Sequence, residues 1–131
     1  MIGLDTNVLV RYLAKDDPAQ IIRVRVFMHA LSAASPGFIS LITLAETAWV
    51  LGGNYEFDRK MIVAVITALL QAEELVVEQA EVVREALHLF EESRAGLSDC
   101  LIAQLGRHAG CEYTVSFDRH AAKLPGMKLL V

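Results

Sequence analysis

Short apolar runs alternate with helix-length segments along the whole chain, and this alternation constrains the fold more than any other feature. Met1 to Leu4 reads as a strand, followed at once by Asp5-Thr6-Asn7 and a short helix over Val8 to Ala14. Asp17-Pro18 supplies an N-cap and a proline at the first helical position, and Ile21, Val24, Met28 and Leu31 then recur at helical spacing. Ser35-Pro36-Gly37 breaks that helix before a second strand at Phe38-Ile39-Ser40. A third helix from Leu41 to Leu51 is expected to stop at Gly52-Gly53, and Asp58 to cap a fourth that runs through Ala72. The fourth helix is apolar all round between Met61 and Leu70, which predicts burial on more than one side. Leu75 to Glu78 forms the third strand, and the helix after it carries Val83, Leu87 and Phe90 on one face. A helix containing Asp99 ends at Gly110, Tyr113 to Ser116 makes the fourth strand, and a helical turn from Asp118 to Lys123 precedes a closing strand from Met127. Strands separated by helices imply a mostly parallel α/β sheet with helices on both faces. With no linker, repeat or low-complexity tract, residues 1–131 are expected to form one domain.

The net charge of −4 argues against a generic basic nucleic-acid binder. Any anionic substrate would then need cations and a local basic rim. Hydrophobic residues make up 54% of the chain and the mean hydropathy is +0.41, an excess that predicts apolar surface covered by a partner. Trp49, Val50, Met61 and Val65 are the candidates for that face, with a purely internal core as the competing explanation. Cys100 and Cys111 have no zinc spacing, and free thiols are expected over a disulfide. The chain enters a strand directly, without a signal peptide, and its most apolar run is too short to span a bilayer; a cytoplasmic protein is expected.

Four acids stand in four separate apolar settings: Asp5 after the first strand, Glu46 in Leu44-Ala45-Glu46-Thr47-Ala48-Trp49, Asp99 opening a helix, and Asp118 after the fourth strand. Singly, each has a plain reading. Asp118 suits a turn or N-cap, Asp99 a second cap beside Ser98, and Asp5 an Asx-turn. Glu46 has no basic residue within a turn to pair with, and is expected to point inward on the face it shares with Ile42 and Val50. Together they suggest more. In open α/β folds ligands bind at the carboxyl ends of strands, where acids from several segments can meet. Converging carboxylates repel one another unless a hard divalent cation such as Mg²⁺ or Mn²⁺, which prefers oxygen ligands, offsets the charge. The chemistry such a site most naturally serves is phosphodiester hydrolysis. Thr6 and Asn7 would hold the Asp5 loop, and the Ser116 hydroxyl would reach an acid or a water. Arg11, Lys15, Arg119 and Lys123 are the candidates for phosphate contacts near the acidic rim.

In these segments the chain resembles the PIN-domain ribonucleases. Asp5-Thr6-Asn7-Val8-Leu9, Glu46 in its Leu-Ala-Glu context, Ser98-Asp99-Cys100-Leu101-Ile102-Ala103 and Ser116-Phe117-Asp118-Arg119 look like that family's successive motifs, in order and over essentially the whole chain. In size and lack of extra domains it looks most like the VapC-type toxins of toxin–antitoxin pairs. The resemblance implies a three-layer α/β/α sandwich with a mostly parallel central sheet. It also implies a Mg²⁺- or Mn²⁺-dependent endoribonuclease acting on structured RNA to leave 5′-phosphate and 3′-hydroxyl ends, a homodimer, and inhibition by a small antitoxin. Asp5, Glu46, Asp99 and Asp118 fall at the family's metal-binding and catalytic acids, and Asn7 at a supporting polar position. Ser116 stands where many members carry threonine.

Three other functions fit parts of the pattern. A phosphate-ester hydrolase working through an aspartyl-phosphate would use Asp5, but Asn7 stands where its second acid belongs. A signalling receiver domain needs an acid pair after the first strand, which is missing. A non-catalytic PIN-like binding scaffold would have lost acids that this chain keeps.

Overall fold

Two parallel β-sheets organise the chain. A computed structural model describes all residues from Met1 to Val131 and divides them into two compact units, Met1–Glu78 and Gln79–Val131.

The first unit contains β1 (Ile2–Gly3), α1 (Thr6–Ala14), α2 (Pro18–Ala30), β2 (Gly37–Ile39), α3 (Leu41–Asn54), α4 (Arg59–Gln71) and β3 (Leu75–Val77). Its strands pair in the order β1-β2-β3, all parallel, with Ile2 opposite Gly37 and Phe38 opposite Val76. Both crossovers are helical, as parallel neighbours require. The caps follow the sequence signals. Asp17 accepts from the backbone N–H groups of Ala19 and Gln20, with Pro18 leading α2. Asp58 accepts from Met61 at the start of α4, and Ser40 from Thr43 at the start of α3. Ser40 is therefore a cap rather than the end of β2. Glu78, just past β3, accepts from the Leu41 N–H at 2.8 Å and ties the end of that strand to the beginning of α3.

Two expectations fail in this unit. Helix α3 runs through Gly52-Gly53 to Asn54, because a glycine pair weakens a helix but ends it only when the backbone turns left-handed there, and neither glycine has a positive φ. Helix α4 buries one stripe, Ile62, Ile66 and Leu69, while Met61 is exposed and Val63 and Val65 are half-buried. Uniform apolarity does not produce burial on a side that nothing covers.

The end of α3 holds a titratable pair. The Tyr55 hydroxyl donates to Asp16 Oδ2. That bond holds the Asp16 carboxyl below its usual range and pushes the Tyr55 phenol above its ordinary 10.0. The stabilisation from Asp16 is present above the ordinary carboxylate pKa and fades as pH falls through the lowered value. The share belonging to Tyr55 is present below 10.0 and fades as pH rises through the raised value. Asp16→Asn is expected to bring the latest tyrosine ionisation, followed by ultraviolet absorbance, down toward 10.0; an unmoved curve would show that the bond does not persist in solution.

The second unit contains α5 (Ala80–Glu92), α6 (Leu97–His108), β4 (Thr114–Ser116), a 3-10 turn (Ala121–Lys123) and β5 (Met127–Leu129). Val82, Val83, Ala86, Leu87 and Phe90 of α5 are buried, as are Leu97, Cys100, Leu101 and Ala103 of α6, and the two helices pack together. His108 of α6 meets Glu85 of α5 at 2.9 Å. Gly110, with φ +87, stops α6 where the sequence places its end. Strands β4 and β5 are parallel, with Val115 opposite Lys128. Both cysteines are free, Cys100 buried and Cys111 exposed.

Gly106 marks where α6 and β4 come closest. A Cβ there would lie 2.5 Å from Thr114 Oγ1, and threonine has few rotamers through which to move aside. Alanine in a helix interior normally gains up to about 1 kcal/mol over glycine, whereas overpacking costs about 1–3 kcal/mol. Gly106→Ala is therefore expected to lower the denaturant midpoint, and adding Thr114→Ala to restore much of it. A Gly106→Ala protein as stable as the parent would refute the close approach.

Candidate active site

Asp5 and Glu46 are brought together in the first unit by a single residue. Asp5 is the N-cap of α1: its Oδ1 accepts from the Thr6 N–H at 2.7 Å, and its carbonyl accepts from Val8 and Leu9. The Thr6 hydroxyl donates to Glu46 Oε1 at 3.0 Å. One turn earlier in α3, the Thr43 hydroxyl donates to the Leu4 carbonyl at 3.3 Å. Two successive turns of α3 are thus pinned to Leu4-Asp5-Thr6. Thr43 is not among the residues the sequence singles out: it lies one turn before Glu46 but on the buried face of α3, among apolar neighbours that give it no distinguishing signal.

The face of Glu46 is not the one expected. Helix α3 buries Thr43, Leu44, Thr47 and Leu51. Glu46 is exposed, Ile42 is 73% exposed, Trp49 is 80% exposed and Val50 is only half-buried, so the row containing Glu46 points outward. Nearly uniform apolarity from Leu41 to Leu51 hid the buried stripe, which includes two threonines. Asp5 and Asp118 are also exposed, and Asp99 is half-buried, so their apolar sequence neighbours do not enclose them.

In the second unit, Asp99 lies in the first turn of α6, a helix whose N-cap, Gly96, has no side chain to offer. The Asp99 Oδ2 folds back to 3.6 Å from where a Cβ on Gly96 would stand, and the positive end of the helix favours its charge. Asp118 Oδ1 accepts from the N–H groups of His120 and Ala121, at 2.8 and 2.9 Å, and so caps the 3-10 turn. Ser116 Oγ accepts from the Asp118 N–H at 3.0 Å and fixes the approach to that turn. Asn7 is exposed in the first turn of α1.

Within neither unit do three or more His, Cys, Asp or Glu side chains gather into a ready-made metal set. Each unit supplies two of the four acids. All four offer only oxygen, the donor type that suits Mg²⁺ or Mn²⁺. Among the basic candidates, Lys15, Arg119 and Lys123 are exposed, whereas the Arg11 Nε donates to Gln20 Oε1.

The sequence model of the PIN domain matches residues 2–127. The chain belongs to the PIN-domain family. This PIN domain is 28% identical over 122 residues to the VapC ribonuclease of Aquifex aeolicus (strain VF5), covering 92% of this chain and 90% of that protein. Among solved structures it matches the Mycobacterium tuberculosis toxin VapC20, described as cleaving the sarcin-ricin loop, at a TM-score of 0.47 and 16% identity over 92% of each chain. No helix of this PIN domain is long and apolar enough to cross a membrane.

Proposed function

We propose that this PIN domain is a metal-dependent endoribonuclease that hydrolyses RNA phosphodiester bonds, and that it is the toxin of a VapBC-type pair. The observation that carries the reading is the joint hold of Thr6 on Asp5 and Glu46, which leaves one oxygen of each carboxylate without a protein partner among the hydrogen bonds at this site. The kinship with a VapC ribonuclease over nearly the whole chain supports RNA as the substrate and a small antitoxin as the partner.

Asp5, Glu46, Asp99 and Asp118 are the residues we assign to a Mg²⁺ or Mn²⁺ site, with residues 1–131 acting as one nuclease domain. When bound, such an ion supplies Lewis acidity toward a phosphate oxygen and makes water a competent nucleophile near neutral pH. Asp5 and Glu46 would hold the ion through the oxygens that Thr6 leaves free. Asp118 would offer its Oδ2, since Oδ1 caps the 3-10 turn. Ser116 holds the Asp118 backbone, and Asn7 stands exposed beside Asp5. Lys15, Arg119 and Lys123 have side chains free to meet RNA phosphates, and Arg11 would first have to release Gln20. The products carry 5′-phosphate and 3′-hydroxyl ends, and the work takes place in the cytoplasm.

Exposed Met61 of α4 supports an apolar contact in a homodimer, and exposed Ile42 and Trp49, which flank Glu46 on α3, support one with the inhibiting antitoxin. Cleavage of a structured RNA by Asp5→Ala and Asp99→Asn protein, with and without chelator, tests the catalytic reading. Undiminished cleavage by either variant would overturn its assigned role.

A further inference from the structure

Thr6 reaches two acids through two different atoms, its backbone N–H and its hydroxyl. The two acids differ in what else holds them. Asp5 is fixed by its place at the start of α1, where its own carbonyl takes the first helical hydrogen bonds. Glu46 projects from an exposed face of α3, flanked by exposed Ile42 and Trp49. Its long side chain has rotamer freedom to lose, and Thr43 anchors only the helix backbone beneath it. A hydrogen bond to a charged acceptor is strong enough to oppose that freedom.

We infer that Thr6 is a positioning residue for Glu46: its hydroxyl, carried on the first turn of α1, holds Glu46 Oε1 so that the other carboxylate oxygen stays presented for a divalent ion. The inference rests on the metal-dependent reading above. It assigns the Thr6 hydroxyl a function distinct from that of its N–H, which Asp5 would use whatever side chain stood there. Threonine suits the task because its branched Cβ restricts the hydroxyl to few directions.

The test uses the full chain and two readouts, Mn²⁺ binding followed by the electron paramagnetic resonance of free Mn²⁺, and single-turnover RNA cleavage. Thr6→Val keeps the shape and the N–H but removes the hydroxyl. It is expected to weaken Mn²⁺ binding by about 10-fold, the lower end of the loss typical when a ligand's supporting partner is removed. It should also slow cleavage while leaving the KM for RNA little changed. Thr6→Ser restores both, and Thr6→Ala repeats the loss should the valine variant fold poorly. Glu46→Gln combined with Thr6→Val is expected to bind Mn²⁺ no more weakly than Glu46→Gln alone, because Thr6 acts through Glu46. Parent-like Mn²⁺ binding by Thr6→Val, a loss that serine does not restore, or additive losses in the double variant would overturn the assignment while the parent still binds and cleaves. A parent chain that binds no Mn²⁺, and an Asp99→Asn variant that cleaves as the parent does, would remove both this inference and the nuclease reading beneath it.

Discussion

Asp99→Asn protein is expected to melt with the parent yet cleave RNA at least about 100-fold more slowly, a loss at or beyond the upper end of that seen when only an outer partner of a metal ligand is removed. The substitution keeps size and shape and removes charge. Asp99 is half-buried in the first turn of α6, where its only structural credit is the helix dipole, worth about 0.3–1 kcal/mol. The fold therefore has little to lose, while the proposed metal site loses a formal charge and a strong oxygen donor. Asp5→Ala is expected to give a similar loss of cleavage with a larger structural effect, because Asp5 also caps α1, and caps contribute about 1 kcal/mol. Single-turnover cleavage of a labelled structured RNA, with thermal melting of the same samples, separates the two effects. Cleavage by Asp99→Asn within a few-fold of the parent, at an unchanged melt, would remove Asp99 from the site.

Leu9→Ala is expected to have the largest effect on stability. Leu9 is 0% exposed in α1, the helix that packs on α3 and begins at Asp5. Emptying such a position costs about 2–5 kcal/mol, a large part of the roughly 5–15 kcal/mol that holds a domain together. A loss of that size corresponds to a melting temperature lower by roughly 10 °C. Ile42→Ala is the matching control: at 73% exposure on α3, it should change stability by no more than about 0.5 kcal/mol. Denaturant midpoints for both variants check the pair, and equal effects would show that the assignment of inner and outer faces is wrong.

The helices and strands were legible in the sequence wherever local chemistry decides. Asp17-Pro18, Asp58 and Gly110 act where they stand, through caps and a left-handed turn within a few residues. The faces were legible only where polarity alternates. In α5, glutamates and apolar residues separate cleanly, and Val83, Leu87 and Phe90 are buried as expected. In α3 and α4 nearly every residue is apolar, so the choice of face fell to tertiary contacts: the Thr43 bond to Leu4 in α3, and the lack of a second covering surface in α4. Around the acids, order along the chain disclosed the residue types. The Thr6 bridge between Asp5 and Glu46 was invisible, because it depends on where α3 crosses the start of α1. Asp118 takes the capping role that its place after β4 suits, with its side chain exposed.

The first sheet is complete within residues 1–78, where β1 pairs with β2 and β2 with β3. During translation, all three strands of that sheet leave the ribosome before the segments that carry Asp99 and Asp118. On the proposed reading, Asp5 and Glu46 belong to the part that emerges first, and Asp99 and Asp118 to the part that follows. On that reading, a message cut short before α6 would yield a fragment that lacks two of the four proposed metal-binding acids.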